Sequence, residues 1–506
     1  MGTYQNPILE GCHPDPSICL VDGTYYLVTS TFEHLPGLPI HASTNLVDWR
    51  HIGHVVDRPG QIDYTGIAGS KGLYAPTIRY HRGTYYVVCT HIPGDDEAPD
   101  AAGHFVCTAT DPAGPWSDPL WLPGLPGIDP SLTFDGDRVW LCGTALQEDG
   151  LWEGQCDVWL VELDPESLMP RSEATVLWQG ALLGAGWAEG PHLIAKPDGG
   201  WMLVSAEGGT DRDHAVCVAY ADDIQGPYVG DPGNPRLTHR HLGEDEPIQN
   251  VGHADVFEDA DGGWWAVMLA THVLPDGTNS LRGRQTHLVP AAWEHGRLVI
   301  APGEGRVLAE ITADGVPDQT PRPTSIVDDF SGDELGLAWN GVRWHPREFA
   351  ALDGAGVTLA ATAVEPTAVG RTAFLGRRVL TDSETLTAEI SLEDGAEALR
   401  AGVLLRTTES AFLEVSVDRS GELRLVSVDD GVATTLVSRV HGAATLAVSL
   451  RLRGHTVEVL VDGGVLAVVD VAHLATGRPG WFMGSWWGPF AVGHGHARVR
   501  RVEITR

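Results

Sequence analysis

The sequence predicts an all-β protein in which a five-bladed β-propeller (residues 1–305) joins, through a linker (306–325), a β-sandwich (326–506). Three observations carry this. One hairpin pattern recurs five times in the first part of the chain, helical periodicity is missing there, and period-two alternation dominates the remainder. Four short strands with their turns occupy about 60 residues, which is one propeller blade.

The repeats open with "DPSICLVDGTYYLVTS" at Asp15, "APTIRYHRGTYYVVCTH" at Ala75 and "DPSLTFDGDRVWLCGT" at Asp129. They continue with "EGPHLIAKPDGGWMLVSAEG" at Glu189 and "HADVFEDADGGWWAVMLATH" at His253. Each is a key residue, a short apolar strand, a tight turn and an aromatic-rich strand. The turns are Asp22-Gly23, Arg82-Gly83, Asp135-Gly136, Asp198-Gly199 and Asp261-Gly262. Asp-Gly between apolar runs signals a hairpin, because Gly accepts the positive φ of the turn. Successive repeats start 54 to 64 residues apart.

In a propeller the innermost strand of every blade runs along the central axis. The residues that open these strands therefore ring one end of the channel. They are Asp15, Ala75, Asp129, Glu189 and His253. Asp15 lies between Pro14 and Pro16. Proline fixes its own φ and pushes the preceding residue toward extended backbone, so a stiff, extended setting is expected for Asp15. Ala75 indicates that the repeat itself needs no acid at this position.

Beyond the repeats, "RVLAEITADGVPDQTPRPTS" reads as a proline-rich linker. "TLTAEISL" (385–392), "LEVSVDRSGELRLVSV" (413–428) and "TLAVSLRLRGHTVEVLVDGGVLAVVDV" (445–471) then alternate as half-buried strands, which is the sandwich. That part shows no acid cluster of its own.

The net charge of −35 excludes nucleic acid and anionic membrane surfaces as partners and suits a neutral small molecule. With 43% hydrophobic and 20% charged residues the chain can build large cores. Its seven cysteines include no CxxC pair and sit mostly in apolar runs, so free thiols in a reducing compartment are expected. "MGTYQNPILEG" carries no secretion signal, and no run of about 18 apolar residues is present to cross a membrane. A cytoplasmic location is the expectation. "GIAGSKG" (66–72) misses the P-loop spacing, so no phosphate site is read there.

Carboxylates facing one another across a pocket are what glycoside hydrolysis requires: one protonated to serve the leaving oxygen, one ionised to activate water or attack the sugar. Glu189 suits the acid, with Trp187 as an apolar wall that raises its pKa. Asp15 suits a fixed base, and Asp129 a third carboxylate that orients the sugar and raises the pKa of Glu189. A divalent metal held by the same acids and His253 is the competing reading, although no HExxH or clustered ligand spacing occurs.

"NPILEGCHPDPS", "STFEHLPGLPIHASTNLVDWRHIG", "GLYAPTI", "GIDPSL", "WAEGPH", "NVGHADV" and "RGRQT", in this order, resemble glycoside hydrolase family 43, in particular its β-xylosidase and α-L-arabinofuranosidase members. The C-terminal part is similar to the concanavalin-like sandwich that many of these xylosidases append. The resemblance implies an inverting mechanism with Asp15 as general base, Asp129 as pKa modulator and Glu189 as general acid. It matches Arg284 to an arginine on the sugar hydroxyls and Phe32 to an aromatic wall of the pocket. Gln285 and Tyr74 depart from the acid and the Trp usual in relatives. His253 matches a histidine that in some relatives meets a calcium ion through water, which allows a structural calcium at the propeller axis; no cofactor is otherwise required. "GSWWGPF" (484–490) is the segment expected to reach the pocket from the sandwich, with Trp486 against the sugar.

The reading is an exo-acting, inverting glycosidase that releases xylose from the non-reducing end of short β-1,4-xylo-oligosaccharides. α-L-Arabinofuranosidase, alone or combined, is the alternative. A non-catalytic sugar-binding propeller and a retaining five-bladed glycosidase are more distant ones. The expected partner is a small oligosaccharide, with a homo-oligomer allowed.

Overall fold

The structure is a computed structural model that describes residues 1–93, 103–181, 184–393, 399–443, 445–478 and 480–506. Blade 1 is built from Ser17–Val21, Thr24–Val28, Gly37–Ser43 and Arg50–Val56, paired antiparallel in that order. Blades 2 to 5 begin with Thr77–His81, Ile128–Asp135, Glu189–Ala195 and Ile248–Glu258. Each inner strand pairs with the strand across its hairpin, as the five repeats predict. The inner strands pack side by side around a ring, blade 5 returning against blade 1.

Among the described residues the propeller has no core along its axis. Its apolar side chains fill five seams, one between each pair of neighbouring blades. Period-two alternation feeds two seams from one strand: Val87 faces blade 1 and Val88 faces blade 3. Trp140 and Leu141 likewise serve opposite sides of blade 3.

The stretch expected as a plain linker contains a strand. Glu310–Ala313 pairs antiparallel with Gly2–Gln5, because its backbone donors and acceptors find partners at the otherwise open edge of the N-terminal segment. That segment continues onto blade 5: Asn6 exchanges hydrogen bonds with Leu288, and the Ile8 amide donates to the Thr286 carbonyl.

The C-terminal domain is a sandwich of an eight-stranded and a seven-stranded antiparallel sheet around one apolar core. It is stitched to blade 1 by backbone. Gly341–Val342 pairs with His34–Leu35, and the Arg343 amide donates to the Glu33 carbonyl. A mixed cluster that includes Cys12, Phe32, Met483, Trp486 and Phe490 seals the joint.

Candidate active site

One cavity of about 90 Å³ opens at the end of the propeller axis. Asp15, Phe32, Tyr74, Asp129, Glu189, His253 and Arg284 all line it. Ala75 completes the ring of strand openings.

The local backbone explains how these side chains reach the axis. Asp129 opens an irregularity in which two residues of the inner strand face one of its neighbour, and Glu189 and His253 sit at similar register shifts. Such bulges re-aim side chains. Asp15 is not extended as its prolines suggest: its φ is +55°, and Asp129, in the matching Asp-Pro-Ser, has +56°. Asp tolerates the left-handed region better than most residues, at a cost of about 1 kcal/mol. The turn into the channel outweighs the proline bias. Gly190, directly after Glu189, has φ +55°, and a Cβ there would stand 2.8 Å from the His253 ring. Glycine is required at that contact.

Asp15 is 3% exposed, and both of its carboxylate oxygens accept hydrogen bonds. The Ser30 hydroxyl donates to its Oδ2 at 2.5 Å, Arg284 Nη1 donates to its Oδ1 at 3.1 Å, and His253 Nδ1 lies 3.7 Å from the same oxygen. Asp129 Oδ2 accepts from the Gly190 amide at 3.1 Å. Burial, then the charges of Glu189 and Asp15, push the Asp129 carboxyl well above the usual range, against the Gly190 amide and Arg284. Burial and then Asp15 push Glu189 up to about 7. Glu189 therefore keeps a proton to near neutrality, with Arg284 opposing the shift.

Aromatic walls close one side. The Phe32 ring lies 5.2 Å from Tyr74 and 5.9 Å from Phe482, and the Arg284 guanidinium sits over both phenylalanine rings at 5.5 and 5.2 Å. Burial raises the Tyr74 hydroxyl pKa, so it stays protonated.

Two expectations need correction. Trp486 does not reach the cavity: it is wholly buried, stacked at 4.1 Å on His34 and covered by Arg378 at 4.4 Å. "WWGPF" forms the sheet strand Trp486–Val492, whose side chains belong to the domain joint and the sandwich core. Phe482, four residues earlier and before that strand begins, is the sandwich residue in the cavity. Trp187 is not among the cavity residues either; it lies over Gly154 and Gly209. Gln285 is fully buried and is not among the residues of the cavity that its neighbour Arg284 lines.

Thr210 and His214 were not anticipated, since "GGTDRDHAV" carries no motif. Thr210 accepts a second bond from Arg284 Nη1 at 3.3 Å. Burial lowers the His214 pKa to about 3, and its Nδ1 bonds the Asn250 carbonyl at 2.9 Å.

The residues around His253 do not fit direct calcium ligation, which takes six to eight oxygens. The two nearest carboxylates are committed. Asp15 is held as above, and Asp255 is held by Arg79 Nη1 at 2.9 Å and the Ser17 hydroxyl at 2.8 Å. Among the described residues no three His, Cys, Asp or Glu are gathered to hold a metal ion. Arg79 also reaches His192 Nδ1 at 3.2 Å, so a guanidinium ties blades 1, 2, 4 and 5 at the axis.

An acid that keeps its proton to about pH 7 and an ionisable partner across a small, aromatic-walled pocket define a glycoside-cleaving enzyme. The comparisons name the group. The model of glycosyl hydrolases family 43 matches residues 4–298, and that of the beta xylosidase C-terminal concanavalin A-like domain matches 327–503. The chain belongs to glycoside hydrolase family 43. It is 34% identical to a xylosidase/arabinosidase of Butyrivibrio fibrisolvens, over 97% of this chain and 96% of that one. It is 32% identical to a non-reducing end alpha-L-arabinofuranosidase of Bacteroides ovatus, over 99% and 94%. The solved xylan beta-1,4-xylosidase of Bacillus halodurans superposes with a TM-score of 0.91 at 27% identity, covering 99% of this chain and all of that one.

Proposed function

We propose that this glycosidase is exo-acting and inverting, and that it releases xylose from the non-reducing end of short β-1,4-xylo-oligosaccharides. The observation that carries the reading is the cavity itself: it has the scale of one sugar ring, and Phe482 of the second domain stands across it. In the reaction a water molecule gives a proton to Asp15 while its oxygen forms a bond to the anomeric carbon. The bond to the leaving oxygen breaks, and Glu189 gives that oxygen its proton. Asp129 holds the Gly190 amide and, by its proximity, helps keep the proton on the Asp129–Glu189 pair. Arg284 orients Asp15 and a sugar hydroxyl. Every proton transfer in this scheme uses a side chain of this protein.

The name of the Bacteroides ovatus relative favours a second reading, α-L-arabinofuranosidase, in the same pocket. All seven cysteines are free thiols, which supports a reducing, cytoplasmic setting.

The deciding experiment is hydrolysis of an aryl β-D-xylopyranoside and an aryl α-L-arabinofuranoside, with the first-formed anomer followed by NMR. The proposal expects faster turnover of the xyloside and α-xylose as first product. Faster turnover of the arabinofuranoside would establish the second reading. Silence on both would overturn the sugar class.

A further inference from the structure

We propose that Ser70 is a positioning residue for the base Asp15, acting through Phe482 and Arg284. This rests on the catalytic reading above, which assigns Ser70 no role. Ser70 is 1% exposed and does not line the cavity. Its hydroxyl nevertheless accepts the Phe482 amide at 2.9 Å. The Phe482 carbonyl accepts Arg284 Nε at 3.1 Å, and Arg284 Nη1 donates to Asp15 Oδ1 at 3.1 Å. The path from Ser70 to the base is an unbroken line of hydrogen bonds through Phe482, the sandwich residue that lines the pocket among the described residues.

The segment that offers this hydroxyl is built for the task. Ser70 adopts φ +63°, a conformation that most side chains avoid. Its amide donates to Glu33 Oε2 at 2.9 Å, which fixes the direction of the residue. The Gly69 amide donates to Glu409 Oε1 at 3.1 Å, and Glu409 is itself held by Arg343 at 2.6 Å. Arg343 also bonds the Ile67 carbonyl. "GIAGSKG" is thus gripped by blade 1 on one side and by the sandwich on the other.

Among the described residues the Arg284 side chain makes four hydrogen bonds, and three of them end on groups of the propeller: two on Asp15 and one on Thr210. Only the Nε bond to Phe482 comes from the second domain. Without Ser70 the Phe482 amide loses its partner, and the carbonyl that aligns the guanidinium plane is released. The base is then held by an arginine free to tilt, and small misplacements of reacting groups are costly.

The test is a double-mutant cycle on the aryl xyloside. Ser70→Ala in the otherwise native enzyme is expected to lower kcat about ten- to a hundredfold with little change in KM. Arg284→Lys keeps the charge but lacks the Nε donor that reads the Phe482 carbonyl. In that background Ser70→Ala should cost almost nothing further, which is the signature of one coupled path. Additive losses, or a loss in KM alone, would overturn the proposal. If Ser70→Ala folds poorly, Ser70→Gly removes the hydroxyl while relieving the positive φ and carries the same cycle. A native enzyme silent on both aryl glycosides would instead bring down the functional reading and this inference with it. An active native enzyme matched by both Ser70 variants overturns the inference alone.

Discussion

The amide of Gly190 donates to Asp129 Oδ2 at 3.1 Å, so the residue directly after Glu189 is tied to the carboxylate of the preceding blade. Two acids from different repeats are thereby fixed as a pair, and a change at one is felt by the other.

Glu189→Gln should therefore separate proton donation from everything else Glu189 does. On xylo-oligosaccharides we expect kcat/KM to fall by about 10²–10⁴-fold. On a dinitrophenyl glycoside, whose leaving group needs no proton, the loss should stay within about tenfold. Equal losses on both substrates would remove Glu189 from the acid's role.

The pH dependence has a defined sign. Burial and Asp15 hold the Glu189 carboxyl up at about 7. Below that pH the acid is protonated and competent; above it the proton is gone. The alkaline limb of kcat/KM should therefore bend at about 7 and fall about tenfold per further unit. A profile flat to pH 9 would contradict a proton donor with this environment.

Phe482→Ala and Trp486→Ala should fail in different ways. The first removes a pocket wall and the ring beneath Arg284, and kcat/KM should drop about tenfold or more while the protein melts near the native temperature. The second removes a wholly buried indole and should cost about 3–5 kcal/mol of stability. Urea denaturation beside steady-state kinetics distinguishes them.

Arg79→Met should loosen the propeller at its axis. Breaking a buried ion pair leaves Asp255 uncompensated, at a cost of about 3–5 kcal/mol. Burial pushes the Asp255 carboxyl up, but Arg79, His192 and the hydrogen bonds of Arg79 and Ser17 outweigh it, and the net shift is downward. A depressed carboxyl contributes stability above its unfolded pKa, and that contribution is lost as pH falls through the folded value. Native protein should therefore lose this part of its stability only below about pH 4. The variant should lack it at pH 7, as a thermal melt at both pH values would reveal.

The five hairpins and the ring they form were legible because turn chemistry and strand alternation are local, and because a propeller converts sequence repetition into convergence. Seven of the eight expected site residues line one cavity for that reason. The eighth shows the limit. Trp486 and Phe482 are both aromatics near one glycine-rich stretch, and which one leaves the sheet depends on where the sandwich strand begins, a tertiary fact. Thr210 and His214 stayed hidden because a loop brings them to the axis without any repeat. The positive φ of Asp15 ran against the proline rule, since the need to aim a carboxylate down the channel overrides a local preference.

The first strand of the chain pairs with residues 310–313, and the pocket takes its last wall from residue 482. During synthesis the opening residues must therefore wait for most of the propeller before their edge is satisfied, and the ring stays unlatched until then. Even a latched ring lacks Phe482 and the carbonyl that steadies Arg284. A half-made chain can thus own Asp15, Asp129 and Glu189 while its pocket still lacks the wall that the second domain brings.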